Sequence, residues 1–79
     1  MEQVSMLSYL TPGERVLIED IQAEESVRLR FHAMGLLRGR EVELIRSAKF
    51  GGPLQIRIGS VNLIIRRSEA DYVRVIRLT

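Results

Sequence analysis

Arg30-Phe31-His32-Ala33-Met34-Gly35-Leu36-Leu37-Arg38-Gly39 is the stretch that decides the fold. Val27, Phe31 and Met34 stand at i, i+4 and i+7, the spacing that puts three apolar side chains on one face of a helix. Gly35 is the natural C-terminal stop for that helix. Glu24-Glu25-Ser26 reads as its start, with Ser26 available to cap free amides and the glutamates suited to the positive end of the helix dipole. Beyond the stop, Gly39 opens a different period: Val42 and Leu44 alternate with Glu41 and Glu43, as in a half-buried strand.

Outward from this segment the pattern is β throughout. Arg15 to Ile21 reads as a strand with Val16 and Ile18 on one side and Leu17 and Ile21 on the other, as in an enclosed barrel strand. Ser47 to Pro53 holds Gly51-Gly52 and reads as a loop, since Pro53 suits a strand start and not a central strand. Leu54, Ile56 and Ile58 alternate with Gln55 and Arg57; Gly59-Ser60 is a two-residue hairpin signal; Val61, Leu63 and Ile65 return antiparallel. Ser68-Glu69-Ala70-Asp71 resembles a capping box on one helical turn, and Tyr72 to Leu78 is the closing strand. At the other end, Leu7 and Leu10 share one helical turn before Thr11-Pro12-Gly13, where proline suits the second turn position and glycine the third. The count is five short strands, one inserted helix and a helical turn near each end. Five short strands protect their edges best by closing into a small barrel.

Composition bounds the rest. The 79 residues form one domain, 1–79, with no linker, low-complexity tract or true repeat, and 46% hydrophobic residues supply one core. Cysteine is absent, which excludes a disulfide framework and a thiolate metal site and fits a cytoplasmic home. No apolar run approaches the ~20 residues of a membrane span, and the first residues lack a signal-peptide pattern, so neither direct membrane insertion nor export is expected. Net charge is +2, carried by eleven arginines and the single Lys49 against ten acids. No basic run exceeds Arg66-Arg67, so nucleic acid is not the expected partner.

The residues resemble, in order, the FeoA family of small cytosolic proteins of bacterial ferrous-iron uptake. The resemblance rests on Leu7-x-x-Leu10-x-Pro12-Gly13, then Arg30-Phe31-x-x-Met34-Gly35-Leu36-x-Arg38-Gly39, then Lys49-x-Gly51-x-Pro53, and finally Ile65-Arg66-x-x-Glu69-Ala70. It departs from the family pattern at Phe31, usually leucine, and at Arg38 and Lys49, where prolines are common. What the resemblance implies is a small SH3-like barrel, also similar to the C-terminal domain of DtxR-type metal-dependent repressors. It also implies an accessory role beside the FeoB-type membrane ferrous-iron transporter, which carries a cytosolic GTPase region. The family motif residues are expected to be mostly structural.

Catalysis is not expected: one histidine, no cysteine and no nucleophile-base-orienter set leave nothing to build it from. No cofactor and no metal site within one subunit is expected. His32 with Glu24 or Glu25 falls short of a designed site, and any ion there would bridge two molecules. Gly51-Gly52 lacks the lysine and helix start of a phosphate loop. Leu29 points away from the predicted core face and Leu37 follows Leu36 at the helix exit. Either they mark a partner surface, or the N-terminal turn bearing Leu7 covers them. Leu29, Leu37, Arg38, Lys49 and Phe50 are therefore the candidate partner-binding residues. Three roles stay open: docking on the transporter, RNA binding on a small arginine-rich barrel, and stimulation of a GTPase through an exposed arginine, although no arginine is singled out for it and Arg30 and Arg66 also read as internal ties to Glu69, Glu41 or carbonyls. Self-association through exposed edges or the extra leucines is also open.

Overall fold

The computed structural model describes residues 2–78. Six strands and two helices follow in the order β1 (Glu2–Met6), β2 (Arg15–Ile21), α1 (Glu25–Ala33), β3 (Glu41–Ser47), β4 (Leu54–Ile58), β5 (Val61–Ile65), α2 (Arg67–Ala70) and β6 (Val73–Leu78), with a 3-10 turn at Leu7–Tyr9. All neighbours are antiparallel, in the sheet order β1-β6-β2-β3-β4-β5. The mainly-β architecture with an inserted helix is the one expected, with two corrections. There are six strands, not five, and the ladder does not close, because β1 and β5 remain its two ends. The added strand is β1. It pairs with β6 from Glu2↔Leu78 to Met6↔Arg74, and Gln3 and Val4 are exposed. A strand held by its backbone ladder, with little burial, leaves no apolar alternation to read.

The sheet coils around one core of sixteen buried apolar residues among the described residues, including Leu7, Ile18, Phe31, Leu36, Leu44, Ile56, Ile65 and Val75. Two bulges permit the coiling, since an extra residue bends its strand and raises the local twist. In β2 the pairing to β6 shifts between Ile18 and Asp20, and in β3 the pairing to β4 shifts between Leu44 and Arg46. The first bulge corrects the expectation that β2 carries apolar residues on both faces. With Glu19 as the extra residue, parity inverts, so Val16, Ile18 and Ile21 are all buried while Leu17 is only half-buried.

α1 starts at Glu25 with Glu24 as its N-cap residue, so Ser26 lies within the first turn and does not cap. Its end is a Schellman motif. Leu36 N–H donates to the Phe31 carbonyl at 3.0 Å and Gly35 N–H to the His32 carbonyl at 3.0 Å. Gly35 adopts φ +97°, a conformation that an L side chain rarely takes. The motif's hydrophobic contact joins Phe31 and Leu36, both wholly buried. Val27 and Met34 pack against the core from part-buried positions. α2 also begins early: its N-cap is Arg66, two residues before the expected Ser68, and its first residue is Arg67. Glu69 accepts a hydrogen bond from the Arg66 backbone N–H at 3.0 Å, which is half of a capping box.

Candidate functional site

The family motif residues form two structural ties. At the first, Leu7 and Leu10 are buried and the following turn is held by Glu14. Its carboxylate accepts from Thr11 N–H at 2.7 Å and from Arg77 Nε at 2.8 Å, while Arg77 Nη2 also donates to the Tyr9 carbonyl at 3.2 Å. Pro12 and Gly13 form the tip of this turn, closed by Glu14 N–H donating to the Thr11 carbonyl at 3.1 Å. At the second tie, Arg30 of α1 pairs with Glu69 of α2, and its guanidinium carbon lies 5.3 Å from the Phe31 ring centroid. Ala70, the last residue of α2, is wholly buried. Arg30 is thus an internal tie. Glu14 was not singled out from sequence, although a carboxylate directly after a Pro-Gly turn is the available signal.

Both carboxylates titrate below the ordinary glutamate range. For Glu14 the cause is first the Thr11 backbone hydrogen bond and then Arg77. For Glu69, burial pushes upward but is outweighed by the hydrogen bonds from Arg30 and the Arg66 backbone. A depressed folded value means that the unfolded chain takes up the proton first. Their stabilisation is therefore complete above the free glutamate value of about 4.3 and is lost as pH falls through the folded values. Thermal melts should show a midpoint that descends in acid below about pH 4.3. An E14Q/E69Q protein should melt lower at neutral pH and with a shallower acid limb; parallel acid limbs would contradict the assignment.

The candidate partner-binding residues fall into two groups. Leu29 is 57% exposed on the solvent side of α1, and Leu37 is 40% exposed in the exit turn. The N-terminal turn does not cover them; its Leu7 is consumed by the core. Leu37 opens a turn closed by Arg40 N–H donating to the Leu37 carbonyl at 3.0 Å, and exposed Arg38 takes the second position, the one proline favours. Lys49 and Phe50 lie instead in the β3–β4 loop. The seven residues of β3 separate the two groups by roughly 20 Å at about 3.3 Å per residue. One contiguous surface from these five residues does not form.

Phe50 is fully exposed and has φ +59°, followed by Gly51 at φ +73°. Gly52 N–H donates to the Lys49 carbonyl at 3.2 Å. Two successive positive φ values make this a type I′ turn, where Asn-Gly is the favoured pair. Phe50→Asn should therefore stabilise the protein by about 0.5–1 kcal/mol in urea unfolding, since the side chain buries nothing and asparagine tolerates this conformation. A loss of stability would mean that the ring packs against the domain in solution.

The hollow beside Asp20, Gln22, Glu24, Arg28 and Tyr72 holds two carboxylates. Among the described residues no three His, Cys, Asp or Glu side chains gather to hold a metal ion, and His32 is exposed on α1. No helix is long and apolar enough to cross a membrane.

The architecture is that of a small antiparallel SH3-like domain with structural ion ties and exposed apolar side chains. The FeoA domain family matches residues 6–77, and the chain belongs to that family. The FeoA protein of Chlorobium tepidum is 33% identical over 95% of this chain and 71% of its own, with TM-score 0.87. FeoA of Stenotrophomonas maltophilia, solved with zinc, is 28% identical over 90% of this chain and 88% of its own, with TM-score 0.79. It is described as a prokaryotic SH3 domain protein proposed to act as a bacterial ferrous iron transport activating factor. A manganese-dependent transcriptional repressor superposes with TM-score 0.88 over 99% of this chain and 44% of its own at 16% identity, a likeness of fold alone. No curated protein matches the sequence.

Proposed function

We propose that this protein is a cytoplasmic accessory factor of ferrous-iron uptake that docks on the cytosolic region of a FeoB-type transporter. The observation that carries this reading is the outward face of α1. Phe31 fixes the helix to the core while Leu29, and Leu37 just beyond it, stay uncovered. Exposed leucines on a rigidly held helix suit the apolar centre of an interface, and Arg38 beside them suits its polar rim. The protein acts by binding; its two perturbed carboxylates are consumed by internal ties. Membership of the FeoA family supports a place in ferrous-iron uptake.

The test is capture of the transporter's soluble GTPase region by the immobilised protein, with GDP, with a non-hydrolysable GTP analogue, and without nucleotide. Retention in at least one state is the expected result. Failure in all three would overturn the proposal. GTP turnover measured on the same mixtures would separate docking from stimulation of hydrolysis, which nothing in the arginine geometry favours.

A further inference from the structure

We infer that β1 is a self-association edge: two copies of this chain pair their β1 strands antiparallel, about a twofold axis at Val4. The inference does not rest on the α1 reading, since no residue of α1 takes part.

The ladder has two free ends, β1 and β5, and at each one row of backbone N–H and C=O groups has no strand partner. The outer faces behind the two edges differ. On β5, Ile64 is exposed, but the register places Gln55 and then Arg46 behind it, so the apolar surface is one strand wide. On β1, Val4 is 62% exposed and pairs with Ile76, which pairs in turn with Leu17 of β2. Ile76 and Leu17 are half-buried on this face, while their neighbours Val75 and Ile18 fill the core on the other. Met6, two residues from Val4 and also half-buried, widens the patch. An apolar row three strands deep therefore runs out to the β1 edge and is cut off there.

Nothing blunts that edge. Free edges are normally guarded by charge, proline or a bulge. Gln3, Val4, Ser5 and Met6 carry neither charge nor proline, and the β1–β6 register runs without a shift, whereas the β2–β6 and β3–β4 pairings both shift.

The sequence of β1 selects the occupant. Around a twofold axis at Val4, Val4 meets the partner's Val4 and Gln3 meets the partner's Ser5, so no like charges are opposed. The two apolar rows then join into one of six residues, Leu17, Ile76 and Val4 from each copy. A net charge of +2 per copy sets little repulsion against this. A nucleic acid or an anionic lipid surface needs free cations. The β1 edge has none from Gln3 to Met6, and the nearby Arg74 and Arg77 are already paired with Glu19 and Glu14. A five-residue edge pair is small beside the roughly 1,600 Å² of a stable complex, so the dimer is weak and concentration-dependent.

The experiment is analytical ultracentrifugation of the purified protein over about 10 µM to 1 mM, with ¹⁵N spectra across the same dilution. A reversible monomer–dimer equilibrium is expected, with dilution shifts confined to Gln3–Met6, Leu17 and Ile76. Val4→Asp and Val4→Lys, at an exposed position, should each keep the wild-type melting temperature and weaken the dimer at least about tenfold, and an equimolar mixture of the two should dimerise again because opposite charges then meet at the axis. Leu29→Asp on α1 and Ile64→Asp on β5 should leave the dimer intact. The inference is overturned by a protein that stays monomeric at about 1 mM, by dilution shifts outside β1 and its row, by a mixture that stays monomeric, or by a dimer that Leu29→Asp or Ile64→Asp disperses and Val4→Asp does not. If a Val4 variant fails to fold, the position of the wild-type dilution shifts decides.

Discussion

Phe31→Ala is expected to cost about 3–5 kcal/mol, the largest effect of any single truncation considered. Phe31 is wholly buried, anchors α1, contacts Leu36 across the Schellman motif and underlies Arg30. Alanine removes the transfer energy of the ring and leaves a cavity in the core. A domain of 79 residues holds only about 4–12 kcal/mol of total stability, so much of its margin disappears. Urea unfolding should show a large fall in midpoint, and the melting temperature should drop by more than about 12 °C. Leu29→Ala is the internal comparison and should shift the midpoint by no more than about 0.5 kcal/mol. A Phe31→Ala protein as stable as that control would mean that α1 is not held by this ring.

Leu29→Asp has the opposite profile: stability kept, transporter binding lowered by at least about 2 kcal/mol, or some thirtyfold. The position is solvent-exposed on α1, so the charge costs nothing in the free protein. At an apolar interface the same carboxylate must be desolvated without a partner. Leu37→Asp should act in the same direction, and the pair together should abolish capture. Unchanged affinity with a folded variant would move the interface away from α1.

The parts of the fold that were legible were those written in local chemistry. Met34-Gly35-Leu36 announced the helix stop because a Schellman motif needs glycine at one position and an apolar residue after it. Gly59-Ser60 announced the hairpin for a similar reason, and β4 and β5 pair through Ile58↔Val61 around it. What was illegible depends on long-range pairing. β1 is placed by its pairing with β6, with Gln3 and Val4 exposed, and the Glu19 bulge, which places Ile21 inside, is visible only once β6 is in register. The site divides the same way. Leu29 and Leu37 could be marked because they broke the helix pattern, but the length of β3 between them and Phe50 could not be weighed before the topology was known. Ile64, 67% exposed on β5, is hidden in the run Leu63-Ile64-Ile65, because three consecutive apolar residues do not say which side is covered.

The α1 docking surface is tested most directly by amide-resolved NMR of the labelled protein titrated with the transporter's soluble GTPase region. The account predicts that shifts and broadening concentrate at Arg28, Leu29, His32, Leu37 and Arg38, with the core amides of β2 and β6 undisturbed. A saturating titration whose perturbations avoid α1 and its exit turn would contradict it.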